Sequence, residues 1–302
     1  GPGKEKLSGF TLDNARVVLD LAQGDFGARI SLEAVDQSSL ATGTPSNAFL
    51  LDAYATARIG ENWMGMIGHF RSPFLGSALI EENNMLLLDR TFNGQFWDER
   101  TDGLQVTGMF DQVSIMAALQ NGSDQLQNGY MWTGRVVFAP LGTVGNNQEG
   151  AYGSSSETAI RLGLAYADDS EISKGDAWAI DGTLIQGGFS LQVELVDYND
   201  DVTPGSGINL NTGVLNPAGI VATGGAETPW SATAGLLINP TVELVARFED
   251  LDDDDDTTAV TVGANFYAAG HNAKLTLQAT RSDSDDGTKE ADTLAFGVCV
   301  GA

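Results

Sequence analysis

Along most of this chain apolar and polar side chains alternate with a period of two, in runs of about ten residues broken by Gly, Asn and Asp. Ala15, Val17, Leu19 and Leu21 oppose Arg16, Val18 and Asp20, while Ala28, Ile30, Leu32 and Ala34 oppose Gly27, Arg29, Ser31 and Glu33. Leu51, Ala53, Ala55, Ala57 and Ile59 stand against Asp52, Tyr54, Thr56 and Arg58. Later runs repeat the pattern. Leu191, Val193 and Leu195 flank Gln192 and Glu194; Val242, Leu244, Ala246 and Phe248 flank Glu243, Val245 and Arg247; Leu275, Leu277 and Ala279 flank Lys274, Thr276 and Gln278. Successive side chains of a strand point to opposite faces, so each run predicts a β-strand with one apolar and one polar face. About fifteen such segments fit between residues 9 and 300.

The connections alternate in length. Short turns fall at Gly24-Asp25, Gly60-Glu61-Asn62, Asp111-Gln112, Gly187-Gly188, Asn239-Pro240 and Gly270-His271-Asn272. Between them lie longer polar loops at 38–47, 71–100, 122–128, 168–175, 200–228, 251–256 and 284–290; the connection 140–156 is a longer one on the short-turn side. Short turns at one end and long loops at the other predict a transmembrane antiparallel β-barrel of about 16 strands, forming a single domain over residues 1–302. The first and last visible segments run the same way, and antiparallel closure needs an even number. One strand is therefore expected before Gly1, missing from this sequence or supplied elsewhere; a miscounted segment is the competing explanation. Aromatic residues near segment ends, among them Phe26, Trp63, Phe110, Tyr130, Trp132, Phe138, Tyr166, Trp178, Phe189, Tyr198, Trp230, Phe248 and Phe266, are expected to form interfacial girdles.

Composition narrows the partners. Forty-one acidic residues against 15 Lys and Arg give a formal charge of −26 over 302 residues, which repels nucleic acid. At 42% hydrophobic, the chain is too apolar for a disordered acidic protein. No run is apolar enough for a membrane-spanning helix, and Gly1-Pro2-Gly3-Lys4-Glu5-Lys6 lacks the apolar core of a signal peptide. Cys299 is the single cysteine and reads as a small apolar strand residue. Only two histidines occur, His69 and His271, and no nucleophile elbow, zinc-protease or phosphate-loop motif is present. No enzymatic activity and no cofactor are therefore expected.

Residues 47–142 carry a more specific pattern. Asn47-Ala48-Phe49-Leu50-Leu51-Asp52-Ala53-Tyr54 leads into Gly65-Met66-Ile67-Gly68-His69-Phe70-Arg71-Ser72-Pro73-Phe74. There follow Leu88-Asp89-Arg90-Thr91-Phe92, Arg100-Thr101-Asp102-Gly103-Leu104-Gln105-Val106-Thr107-Gly108, Asn121-Gly122-Ser123 and Gly134-Arg135-Val136-Val137-Phe138-Ala139-Pro140-Leu141-Gly142. In order and spacing this resembles the phosphate-selective porin O and P family. The resemblance implies a sixteen-stranded, homotrimeric pore in the outer membrane of a Gram-negative bacterium, surrounded by outer-membrane lipid and passing small hydrophilic solutes or ions. It also implies that loop 71–100 folds into the lumen as the constriction, which suits the apolar Leu75, Leu79, Ile80, Met85, Leu86, Leu87, Leu88, Phe92, Phe96 and Trp97 within it.

Phosphate pores need Arg and Lys along the lumen to replace the anion's lost hydration. Arg71, Arg90 and Arg100, in or beside the loop, are the leading constriction candidates, followed by Arg16, Arg29, Arg58, Arg135 and Arg161 on the wall, with Arg247 and Lys274. The same face carries Asp20, Glu33, Asp52, Asp181, Glu194 and Glu243, so wall arginines are equally suited to pairing with neighbouring carboxylates. Acidic runs fall in the long loops, and Asp252, Asp253, Asp254 and Asp255 are a weak candidate Ca²⁺ site. A solvated acidic rim is the simpler reading, and it would repel anions from the mouth. Two other classes stay open: a structural or adhesive outer-membrane barrel with a loop-closed lumen, and a soluble secreted all-β binding protein.

Overall fold

The computed structural model describes residues 15–35, 47–122, 129–142, 149–153, 157–169, 175–198, 227–253, 255–285 and 291–301. Fifteen strands form one sheet: β1 Ala15–Gln23, β2 Phe26–Val35, β3 Asn47–Arg58, β4 Trp63–Arg71, β5 Arg100–Met109, β6 Val113–Asn121, β7 Tyr130–Leu141, β8 Ala159–Asp169, β9 Gly175–Gln186, β10 Phe189–Tyr198, β11 Trp230–Asn239, β12 Val242–Asp250, β13 Thr258–Tyr267, β14 Ala273–Asp283 and β15 Ala291–Val300. Each strand pairs antiparallel with the next in chain order. Their lengths, 9 to 12 residues, are those a tilted strand needs to cross a bilayer. Among the described residues no helix is long and apolar enough to cross a membrane. The two helices, α1 Gly76–Leu79 and α2 Phe92–Phe96, are short turns inside the connection between β4 and β5.

The period-two pattern sorts the two faces. Leu19, Leu32, Ile67, Leu104, Leu164, Val193, Leu244, Val262 and Leu277 are exposed on the outside, while Ser31, Gln105, Thr133, Asp181, Gln192, Glu243, Thr261 and Gln278 are buried on the inside. An apolar exterior around a polar interior inverts a soluble protein and matches a wall facing hydrocarbon. Exposed Phe26, Trp63, Phe110, Phe138, Phe189 and Phe266 ring the short-turn end. Tyr130, Trp132 and Trp230 mark the long-loop end, where Trp132 packs on Tyr166 at 5.0 Å and Trp230 on Phe248 at 5.1 Å. Tyr198 does not join this girdle. It points inward and is buried.

Two further expectations change. In β3 the register against β2 steps from Asp52 to Leu50, so Leu51 is the extra residue of a β-bulge. Leu50 is then 48% exposed outside and Leu51 only 5% exposed inside, the reverse of simple alternation. Gly68 meets β3 so closely that a Cβ there would sit 2.2 Å from the Ala53 carbonyl oxygen, at φ +135°. No side chain fits, which explains a glycine in mid-strand. With fifteen strands described, β1 and β15 run in the same direction and each has one hydrogen-bonded neighbour among the described residues, so they cannot pair antiparallel with each other. Residues 1–14 lie outside the described set, and with them the first part of the segment expected at 9–22.

Candidate functional site: an inserted loop and its charged wall

The connection between β4 and β5 enters the barrel. Phe74, Leu75 and Trp97 are buried against Met131, Ala165, Ala167, Ala177, Ala179, Val196 and Tyr198, which face inward from β7 to β10. Small alanines on that arc leave the depth that the loop's rings fill. Trp97 stacks on Phe74 with ring centres 3.8 Å apart and donates from Nε1 to the Tyr198 hydroxyl at 3.1 Å. Farther along, Leu86 and Leu87 pack on Val245, and Phe92 packs on Leu251 and Ala259.

An irregular segment inside a barrel must still satisfy its backbone. Here the charged wall does so. Arg135 donates to the Phe74 carbonyl at 2.8 Å and Arg247 to that of Asp89 at 2.8 Å; Lys274 donates to those of Asn83, at 3.2 Å, and Met85. Phe92 N–H donates to Glu249 at 2.7 Å, and the Thr91 hydroxyl donates to Glu194. Thr91 also caps α2, accepting from Gly94 N–H at 3.0 Å. Arg135 is itself held by a two-pronged pair to Asp181 at 2.6 and 2.8 Å. Arg161 donates to Thr183 Oγ1 at 3.3 Å on the same wall.

The three leading arginines meet at the loop's stem, around one carboxylate that the sequence reading did not single out. Asp98 lies 2.6 Å from Arg71, 3.2 Å from Arg100 and 3.4 Å from Arg90, and Arg100 also reaches Asp52 at 3.3 Å. Burial alone pushes the Asp98 carboxyl up, but Arg100, Arg71 and Arg90 together outweigh it and hold it down at about 2. The cluster is a knot of buried ion pairs with one positive charge in excess, not a row of free cations.

A second charged group faces the β1–β2 wall. Arg16 pairs with Glu33 and, at 2.7 Å, with Glu82; Arg29 pairs with Asp20 at 2.8 Å and with Glu81 at 2.9 Å. Burial raises the Glu81 carboxyl, while Arg71 and Arg29 draw it the other way and leave it below its ordinary value. Arg58 lies apart from both groups, exposed at the short-turn end, 3.8 Å from Asp25.

The described segment Glu149–Gly153 of the connection between β7 and β8 also reaches inside, from the opposite end to the loop. Buried Glu149 accepts from Leu86 N–H at 2.6 Å and pairs with Arg247 at 3.2 Å; Ala151 N–H donates to Glu243 at 2.9 Å. Tyr152 stacks on Tyr267 with centres 4.0 Å apart, beside His271, whose Nδ1 lies 3.1 Å from the Asn83 carbonyl. Burial and the neighbouring Lys274 push the His271 ring below its ordinary value, toward the neutral form. The other histidine, His69, faces outward and lies 2.9 Å from Asp102.

The acidic run after β12 folds on itself. Asp252 accepts from Thr228 N–H at 2.8 Å and from its hydroxyl at 2.6 Å, and Asp253 accepts from Thr257 N–H at 2.7 Å. Asp255 offers its carbonyl to Asp285 N–H at 2.9 Å, and Asp254 lies outside the described residues. Among the described residues no three His, Cys, Asp or Glu side chains come together as a metal cage.

The sequence reading missed Asp98, Glu81, Glu82, Glu149 and Glu249, the acids that complete these pairs. A signal was available for three of them. A loop closed at both ends by arginines and carrying Glu81, Glu82 and Asp98 between them has its counter-charges within reach.

No family model and no curated protein matches the sequence. Solved structures do match in three dimensions. The chain is similar to the outer membrane channel DcaP of Acinetobacter baumannii, with a TM-score of 0.52 and 10% identity, covering 94% of this chain and 82% of that one. A loop-deletion mutant of OmpT, an outer membrane protein of Vibrio cholerae, gives 0.57 at 12% identity, covering 94% and 89%. A mutant of the Rh. blastica porin gives 0.55 at 13%, covering 94% and 87%. The shared fold is the outer-membrane porin barrel.

Proposed function

We propose that this chain is an outer-membrane porin through which small hydrophilic solutes and ions diffuse passively, with no enzymatic step. One observation carries the reading: an exterior fit for lipid encloses a charged interior narrowed by an inserted loop, on the fold of known porins. Localisation in the outer membrane and assembly as a homotrimer belong to the same proposal; mass measurement in detergent checks the second. Phosphate selectivity finds little support, because Arg16, Arg29, Arg71, Arg90, Arg100 and Arg135 each lie within ion-pair distance of a carboxylate. Conductance steps in planar bilayers, from protein whose gel mobility shifts on heating, are the expected result. A folded preparation that never conducts would remove the proposal.

A second reading has its own observation. Every inward residue of β7 from Met131 to Ala139, of β9 from Ala177 to Ile185 and of β12 from Glu243 to Glu249 is buried, so that side of the interior is filled. A barrel closed throughout would serve structure or adhesion. Liposomes carrying it would fail to swell in any small sugar.

A further inference from the structure

The filled interior restricts where water can pass. Most inward positions are buried from β7 through β14, under the inserted loop and the segment Glu149–Tyr152, with Arg161, Leu237 and Gly263 half-buried. On β1 to β4 the inward face is mixed: Ser31, Glu33, Leu51 and Phe70 are buried, while Asp20, Arg29, Tyr54, Thr56, Met64 and Met66 keep contact with solvent. The inward positions of β15 are half-buried as well, so the widest aqueous path in the described structure follows the β15 and β1–β4 side, past the tip of the loop at Glu81 and Glu82.

The charges on that path are unequal. Side-chain exposure is 62% for Asp20, 37% for Glu81 and 26% for Glu82, against 27% for Arg29. Arg16 and Glu33 stand behind them at 14% and 7%. Four carboxylates thus meet two guanidiniums, and three of the four groups that water reaches most are anionic. The arginine-rich stem keeps one positive charge in excess over Asp98 and Asp52, which offsets part of this, but Arg71, Arg90 and Arg100 are at most 9% exposed.

We infer that the pore prefers small cations, and that Asp20, Glu81 and Glu82, opposed by Arg29, set that preference on a path along β1–β4. The inference rests on the porin reading and extends it to the class of solute. The arithmetic is modest. In water, a unit charge about 10 Å from the path enriches one ion sign roughly twofold and depletes the other by a similar factor. The net charge of −26 over the whole chain adds to the effect at the mouths at low salt.

The test is reversal potential across a potassium chloride gradient in planar bilayers, at low ionic strength where screening is weak. The wild type should favour K⁺ over Cl⁻. Asp20→Asn combined with Glu81→Gln should lower the permeability ratio about tenfold, while Arg29→Gln should raise it by a few-fold. The opposite signs separate a charge effect from general loosening, and Arg29→Gln carries the test alone if the double variant does not fold. Channels that conduct but favour Cl⁻, or whose ratio ignores these substitutions, overturn the inference and leave the porin reading standing. Folded protein that never conducts removes the porin reading itself.

Discussion

Trp97→Ala is the sharpest test of the inserted loop. The indole is buried, stacked on Phe74, in edge contact with Phe96 at 6.0 Å, and hydrogen-bonded to Tyr198. Truncating a buried Trp costs about 3–5 kcal/mol through lost apolar burial and the cavity left behind. The Tyr198 hydroxyl keeps only a long contact to Asn93 Oδ1, at 3.4 Å, so a hydrogen-bond loss of about 1 kcal/mol falls within that total. The strand ladder from β7 to β10 does not run through Trp97, so the loss falls on docking of the loop and not on the barrel. A change of 3–5 kcal/mol multiplies the undocked population roughly a hundred- to several-thousandfold. Single-channel recording should show frequent excursions to a larger conductance, and limited proteolysis should cut within residues 72–99, while the temperature of heat modification barely moves. Unchanged conductance, gating and protease resistance would refute the claim that this ring pins the loop.

Two further outcomes follow from the ion pairs. Because the Asp98 carboxyl is held at about 2, below its value of ~3.9 in an unfolded chain, the stem's stabilisation is complete above pH ~4 and is lost as pH falls through ~2, an effect of about 2 kcal/mol. Channel noise should rise reversibly in that window and not between pH 5 and 8, and Asp98→Asn should be noisy at all pH values. Glu149→Ala leaves Arg247 buried without its carboxylate and Leu86 N–H without its acceptor, a cost of about 3–5 kcal/mol; the midpoint of heat modification should drop well below that of Trp97→Ala.

The strands were legible because each needs only its own neighbours. Alternation at Val242–Asp250 or Ala273–Asp283 says which side chains meet lipid without reference to the rest of the chain. Leu51 defeated the rule because a bulge is a two-strand event: the extra residue on β3 exists only relative to Ser31 and Leu32 on β2. The site was legible only in part. Residue type and loop length placed the arginines near the interior, but their partners depend on contacts across 66 residues for Arg16 with Glu82 and 98 for Arg247 with Glu149, which no local pattern encodes. Tyr198 illustrates the same limit, since its aromatic ring at a strand end fits a girdle until parity turns it inward to Trp97.

The meeting of Leu86 with Glu149 has a consequence for assembly. One segment enters from the long-loop end and the other from the short-turn end, and their contact lies between two halves of a wall that must already be curved. Until both arrive, Glu243 has only Tyr267 and Arg247 only Thr233 as hydrogen-bond partners among the described residues of the wall. The bonds of Glu243 to Ala151, of Arg247 to Asp89 and Glu149, and of Glu249 to Phe92 are still to form. Curling of the sheet and seating of its two inserts are therefore coupled steps.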